Sequence, residues 1–314
     1  MSTNEEGRQA RGRVAVVVVL YNSAPLLPAL VDSLQEGLTG VDFELIAVDN
    51  ASPDRSVETL IELAPWATVV RTGRNGGYAA GINAGVAAAR PHDAVLVLNS
   101  DVRLRPGCVA ALLEGLRRTG AGIAVPRLLN AHGLVIDSLR REPTVLRALG
   151  DAVLGAQRAG RFAPLGEMVT DRQVYERARR TDWAEGSAQL ISTECWQACG
   201  PWDESFFLYC EETEFDLRAR DRGFATWLVP QAHAVHLEGG SGVSNRLWVL
   251  QVTNRIRLFR RRHGRLATGL YWLATLLREG TRSLLGRSNS RAATLALLRP
   301  PQDWAEDLTT EVAA

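Results

Sequence analysis

Four clusters of polar residues in this chain carry side chains that could bind or transform a ligand, and each follows an apolar run or a tight turn. In the stretch AVLVLNSD, five apolar residues (94–98) lead into Asn99, Ser100 and one carboxylate, Asp101. Hard divalent ions such as Mg2+ are held by one or two carboxylates together with substrate phosphates. Asp101 is therefore read as holding a divalent metal that holds a diphosphate; the plainer alternative is a solvated acid at a strand end. A second cluster, Asp49-Asn50-Ala51-Ser52-Pro53-Asp54, offers an acid able to accept the ring N–H of a pyrimidine base, unless Asp49 or Ser52 merely caps the next helix. In the third, Arg74-Asn75-Gly76-Gly77-Tyr78, paired glycines let a backbone approach a ligand closely, and the helix that follows attracts anions at its N-terminus. Gly81 and Gly85 share one face of that helix and permit close packing. The fourth, Tyr209-Cys210-Glu211-Glu212-Thr213-Glu214, crowds carboxylates at a helix start, where the macrodipole offsets some of their repulsion. Such crowding moves a carboxyl toward the range of a general base, although a solvated acidic first turn would look the same. His236, in HLEGGSG, adds an imidazole beside a glycine-rich turn, with His233 as its competitor.

The elements that must position these residues are legible from hydrophobic periodicity. Apolar runs at 14–20, 43–48, 67–70 and 94–98 read as strands. Between them, Leu27, Leu30, Val31 and Leu34, then Val57, Leu60 and Ile61, recur at helical spacing. Pro106 and Gly107 open a helix lined by Val109, Leu112, Leu113 and Leu116, and 123–125 reads as a further strand. Residues 127–182 read as loops and helices over the sheet. Residues 212–222 read as a helix stopped by Gly223, followed by a strand at 225–229. Strand–helix alternation with short links predicts an α/β fold, a mostly parallel, Rossmann-like sheet flanked by helices on both faces. Open sheets of this kind bind ligands just past their strand ends, which is where Asp49 and Asp101 fall.

Composition narrows the class. With 314 residues, 46% hydrophobic and 23% charged, the chain can bury a sizeable core, and a net charge of +1 gives no field for nucleic acid. Cys108, Cys195, Cys199 and Cys210 are too scattered for a disulfide scaffold and are expected to be reduced. The polar N-terminus reads as neither secretory signal nor transit peptide, and no apolar run reaches the ~18 residues that span a bilayer, so a cytoplasmic protein, soluble or attached to the inner face of the membrane, is expected. The turn LYNSAP lacks the glycines of a dinucleotide fingerprint, and neither a GxSxG elbow nor a GxxxxGK[ST] loop is present.

Taken in order, VVVVLYNS, VDNAS-x-D, NGGYAAGIN, LNSD, the DWAEGSAQLISTECWQACGPWDESFFLYCEETEFDLRARDRG block and HLEGGS resemble family 2 glycosyltransferases, most of all bacterial rhamnosyltransferase-type members, over about residues 13–245. The resemblance implies a GT-A fold, a nucleotide-diphosphate sugar donor (dTDP- or UDP-sugar), Mg2+ or Mn2+, and inversion at the sugar carbon, with rhamnose the leading sugar. It implies a nucleotide-sugar-binding half at 13–126, an acceptor-binding half at 127–245 and a C-terminal helical extension at 246–314, after a disordered 1–12. Residue by residue, it places Tyr21, Asn22, Asp49, Arg74, Gly76, Gly77, Asn99 and Asp101 at the donor, Asp101 and His236 at the metal, and Trp183, Gly186 and Ser187 on the acceptor side. Glu212 falls where the family has its base. Two departures matter: the metal motif reads Asn-Ser-Asp rather than Asp-x-Asp or Asn-Pro-Asp, and the base pair is Glu-Glu rather than Glu-Asp, which leaves Glu211 open as the base.

The implied acceptor is a glycan, a lipid-linked molecule or a small molecule, in the building of a cell-surface or secondary-metabolite glycan; a homodimer is a further expected arrangement. Arg255, Arg257, Arg260, Arg261, Arg262 and Arg265 precede LATGLYWLATLL, a pattern that reads either as membrane-surface docking or as a packed helix with a solvated basic face. Two rival classes stay in view. A sugar-phosphate nucleotidyltransferase would need a glycine- and basic-rich first loop, which LYNSAP is not. A non-catalytic nucleotide-sugar-binding or scaffold protein would suit the thin metal motif.

Overall fold

The computed structural model describes residues 12–237 and 244–299. All of the N-terminal stretch expected to be disordered except Gly12, the glycine-rich residues after Leu237 and the end of the C-terminal extension lie outside them. The first half alternates as expected: β1 (Arg13–Leu20), α1 (Leu27–Gly37), β2 (Asp42–Asp49), α2 (Ser56–Leu63), β3 (Thr68–Arg71), α3 (Tyr78–Ala88), β4 (Ala94–Leu98), β5 (Val102–Leu104), α4 (Cys108–Thr119) and β6 (Ile123–Leu129). Residues 127–182, expected to hold only loops and helices, contain β7 (Leu139–Arg140), α5 (Val145–Leu154), α6 (Ala156–Ala159) and β8 (Arg179–Thr181). Then come β9 (Trp183–Ala184), β10 (Ala188–Ser192), α7 (Thr193–Cys199), α8 (Glu211–Asp221), β11 (Thr226–His236), α9 (Asn245–Arg262), α10 (Arg265–Leu284) and α11 (Ser288–Leu297).

Nine strands form one sheet in the order β3-β2-β1-β4-β10-β6-β11-β5, with β8 also on β11. β1 to β4 are parallel, and β6 and β11 are parallel. β10 runs against both β4 and β6, and β5 and β8 run against β11. The sheet is thus mixed but mostly parallel. β1 shows why helices cover both faces: Val14, Val16, Val18 and Leu20 pack with α1 and α4, whereas Ala15 and Val17 pack toward α3 and α7. A Cβ at Gly81 would stand 2.7 Å from Val19 and one at Gly85 2.4 Å from Val17, so these two glycines let α3 lie flat on β1. All four cysteines are free and buried.

The last three helices build a cluster of their own around Val252, Ile256, Phe259, Tyr271 and Leu297. Phe259 and Tyr271 stack with ring centroids 4.1 Å apart. The arginine run on α9 faces inward more than outward. Arg255 pairs with Glu167, Arg261 with Asp203, and Arg262 with Glu142 and Asp221, while Arg257 donates to the Ser205 carbonyl. Four of the six arginines of the run read either as membrane-docking or as the solvated face of a packed helix therefore fasten α9 to the rest of the chain.

Candidate active site

Asp101 and His236 meet because β5 pairs with the far end of β11. The register sets His236 opposite Val102, and the Leu237 N–H donates to the Asp101 carbonyl at 3.0 Å. His236 Nε2 then lies 3.3 Å from Asp101 Oδ2. Burial pushes the Asp101 carboxyl up, but the hydrogen bond and charge of His236 more than offset it, so the group is held below its ordinary value. A short β5 was not read from the sequence, and β11 was read only as far as Val229; the missing part of β11 is what brings His236 to the sheet edge. Among the described residues no group of three or more His, Cys, Asp or Glu side chains gathers that could hold a metal ion. One carboxylate and one imidazole fit a divalent ion whose remaining ligands come from water and a donor's phosphate oxygens.

The loops after β1 and β2 lie side by side, since Leu20 pairs with Asp49. The Asn22 N–H donates to Ser52 Oγ at 2.8 Å, the Ala24 N–H to Asp54 Oδ2 at 3.0 Å, and the Ser52 N–H to Asp49 Oδ1 at 2.9 Å. Asp54 also accepts from the hydroxyls of Ser52 and Ser56, and these bonds outweigh burial to hold its carboxyl below the ordinary range. Neither Asp49 nor Ser52 caps α2: the Ser56 N–H bonds Asp54 instead. Tyr21 and Asn22 are exposed at the mouth of this crevice, and Asn22 adopts a left-handed φ of 53°.

Asn50, buried behind Asp49, donates to the Gly77 carbonyl at 2.9 Å, and its side chain meets that of Asn75. Gly77 has φ 89°, and a Cβ there would stand 2.2 Å from the Phe207 carbonyl oxygen, so only glycine fits. Gly76 lies beside it, under the exposed Arg74 guanidinium.

Behind the glycines, the Tyr78 hydroxyl donates to Asn99 Oδ1 at 2.6 Å. Burial, and then the negative charges of Glu211, Asp101 and Glu212, push this phenol well above its ordinary value. One side chain thus feels the carboxylates of both Asp101 and the glutamate turn. Tyr78 carried no role in the sequence reading, although it stood inside the third cluster; its distinguishing signal is position, not type.

The glutamates are raised by an unusual turn. Tyr209 and Cys210 both take left-handed backbone angles, φ 68° and 75°, immediately before α8. Such angles cost ~1–3 kcal/mol each in non-glycine residues and persist only where surroundings impose them. Here Asn254 of α9 donates to the carbonyls of Leu208 and Tyr209 at 3.0 and 3.2 Å, and Cys210 packs on Phe206 and Leu258. Glu211 is buried, and burial with the neighbouring Glu212 charge pushes it well above the ordinary carboxylate range. Glu212, which stays partly open, is pushed to about 7, by burial first and by the charge of Glu185.

Glu212 packs against Gly186, where an added Cβ would stand 2.9 Å from the Glu212 Cβ. The Ser187 carbonyl accepts from the Asn99 N–H at 2.9 Å, so Gly186-Ser187 and Asn99-Ser100-Asp101 are neighbours, just before β10 and just after β4. Trp183 is buried, donates its ring N–H to the Arg141 carbonyl at 3.1 Å, and with Glu212 lines a cavity of about 40 Å³. The Arg140–Glu185 ion pair, at 2.6 Å, lies close enough to influence Glu212, and the sequence reading gave neither residue a role. A larger cavity of about 1100 Å³ lies apart from these acids, between α9, α10, α11 and the 204–207 loop.

Residues 15–143 match the family model described as glycosyl transferase family 2. Residues 15–143 form a family 2 glycosyltransferase domain. It is 29% identical over 235 residues to N-acetylglucosaminyl-diphospho-decaprenol L-rhamnosyltransferase of Mycobacterium tuberculosis, covering 70% of this chain and 75% of that protein. It is 27% identical over 234 residues to a low-salt glycan biosynthesis hexosyltransferase of Haloferax volcanii, covering 71% of this chain and 66% of that one. Among solved structures, a Pyrobaculum calidifontis mannosyltransferase in complex with GDP-Man and Mn2+ superposes with TM-score 0.57 at 16% identity, covering 97% of this chain and 86% of that one. GalNAc-T7 with UDP, GalNAc and Mn2+ superposes with TM-score 0.61 at 14% identity, covering 97% and 58%. The fold of this glycosyltransferase is of the GT-A type.

Proposed function

We propose that the chain is an inverting transferase that moves a sugar, rhamnose first among candidates, from a nucleotide-diphosphate donor to an acceptor hydroxyl. The observation that carries this reading is Tyr78, whose hydroxyl donates to Asn99 Oδ1 in the Asn-Ser-Asp turn and whose phenol is raised by the charges of both Asp101, the partner of His236, and the Glu211–Glu212 pair. Tyr21, Asn22 and Asp49 would receive the base and ribose of a dTDP- or UDP-sugar, and the Gly76–Gly77 backbone its diphosphate. Asp101 and His236 would hold Mg2+ or Mn2+, which when bound neutralises charge on the departing diphosphate. The acceptor hydroxyl would approach along Gly186, Ser187 and Trp183, with its proton directed at Glu212. A carboxylate poised at about 7 suits a general base, since a large fraction is ionised at neutral pH and it is still basic enough to take a proton as the oxygen attacks. One displacement with no enzyme-bound sugar inverts the anomeric carbon. Glu211 is more deeply buried than Glu212 and so less open to an acceptor hydroxyl.

A lipid-linked acceptor is supported by the decaprenol-linked substrate in the name of the mycobacterial relative, and with it a place in the building of a cell-surface glycan. Residues 13–126 would then serve the donor and 127–245 the acceptor. The test is a panel of dTDP-, UDP- and GDP-sugars offered with a polyprenyl-diphosphate-linked N-acetylglucosamine. Product mass and anomeric configuration are read, with EDTA as control. A retained anomeric configuration, or transfer unaffected by EDTA, would overturn the reading.

A further inference from the structure

Residues 244–299 contain twelve arginines and one acid, Glu279, in a chain whose net charge is +1. Glu279 is fully buried, where Arg278 pairs with it at 2.8 Å. Residues 144–166 likewise carry Arg147, Arg158 and Arg161 against a single acid, Asp151, which is also buried. The chain has no lysine, so histidine aside its cationic side chains are all arginines, the weakly hydrated, forked cation that matches phosphate oxygens.

The same elements expose apolar side chains in rows. On α10, Leu266, Leu270, Leu273, Leu277 and Leu284 recur every three or four residues or a multiple of that, and all are exposed, Leu266 at 81% and Leu284 at 90%. α5 packs against α10 and exposes Leu146, Leu149 and Val153, again on one face. α11, also packed on α10, exposes Leu295, and Leu298 just beyond its end is exposed as well. Scattered exposed leucines need no explanation, but rows of them on adjoining helices mark an interaction surface. Buried carboxylates and exposed arginines such as Arg158, Arg161, Arg265, Arg287 and Arg291 make these elements cationic.

We propose that the α5–α10–α11 surface is a docking face for an anionic lipid bilayer, with the leucine rows entering the interface and the arginines meeting lipid phosphates. The charge selects this occupant: a second copy would bring the same excess of arginines against itself, whereas an anionic leaflet attracts each basic residue by ~1 kcal/mol. No described helix is long and apolar enough to cross a membrane, so contact would be at the surface. Apart from Arg265, the arginines that do this differ from the run singled out in the sequence, most of which is engaged internally. The proposal does not rest on the transfer reading, because vesicle binding is measured without donor or acceptor.

The test is co-sedimentation of the full chain with vesicles containing phosphatidylglycerol and with vesicles of phosphatidylcholine alone, at low and high salt. The wild type should partition at least tenfold more onto the anionic vesicles and be released by salt. The triple substitution Leu270→Ser, Leu273→Ser and Leu277→Ser should lower that partition tenfold or more. Leu149→Ser with Val153→Ser should lower it in the same direction, should the α10 triple fail to fold. Equal partition of the folded variants and the wild type, or no preference for anionic vesicles, would overturn the proposal. So would a dimer in size-exclusion light scattering that the triple variant converts to monomer without any change in vesicle binding.

Discussion

Replacing Glu212 by Gln separates a catalytic carboxylate from a structural one, because the two roles push stability in opposite directions. The carboxyl is raised from 4.5 to about 7. The unfolded chain therefore releases this proton at a lower pH than the fold does. As pH rises through the window from 4.5 to about 7, the fold is progressively penalised, because ionised Glu212 is tolerated better in water. At about 1.36 kcal/mol per pH unit, the full penalty above that window is about 3 kcal/mol. Glutamine removes it. At pH 8 the variant should be more stable than the wild type by up to about 3 kcal/mol, and at pH 4 the two should match. With an unfolding entropy of ~2 cal/mol/K per residue over this chain, the difference corresponds to a rise in Tm of roughly 5 °C. Transfer should fall by ~10²–10⁴ while donor affinity is kept. In the wild type, kcat/KM should decline roughly fivefold between pH 7 and pH 6 as the base is protonated, and the residual activity of the variant should lack that limb. Differential scanning fluorimetry across pH, paired with product-release kinetics and donor titration, reads all of this. Turnover near wild type, or a variant less stable at pH 8, would refute the assignment.

Three further outcomes follow from the same geometry. Asp101→Ala should weaken metal-dependent donor binding tenfold or more by calorimetry and leave the residual binding indifferent to EDTA, since it removes one of the two side chains proposed to hold the ion. Gly77→Ala combines a left-handed φ with a Cβ 2.2 Å from the Phe207 carbonyl; a stability loss of ~2 kcal/mol or more by urea titration, together with loss of donor binding, is expected. Asn254→Ala leaves the Leu208 and Tyr209 carbonyls without their side-chain donor, so ~1–3 kcal/mol of stability and a larger share of kcat than of KM should be lost, measured by chemical denaturation and steady-state kinetics.

What was legible in the sequence was whatever its own neighbours determine. β4 is apolar throughout, β1 is so after Arg13, and β2 holds the unbroken apolar run Leu45–Val48, because both faces of the sheet are covered, and the helix before Gly223 ends one residue from its expected stop. β5 and β10 were not legible. β5 is three residues long, and β10 follows the acceptor-side turn with no break of its own. Both strands exist through partners distant in the chain. The candidate residues divide in the same way: Asp49, Asp101, Glu211, Glu212 and His236 stood out by residue type, but the meeting of Asp101 with His236 depends on β11 continuing to His236, and Tyr78 is what lies near both Asp101 and the two glutamates. The inward pairing of the α9 arginines was hidden for the opposite reason, because Glu142, Glu167 and Asp203 lie far away in sequence.

The insertion of β10 between β4 and β6 bears on how the chain is made. β4 is fully apolar and fully buried, yet one of its edges is covered only by β10, about 90 residues downstream. At ~5–20 residues per second on the ribosome, that edge waits several seconds or more as an open template for any other extended strand. A product truncated inside that interval should cling to chaperones and precipitate when they are withdrawn, even though its first four strands could already have paired.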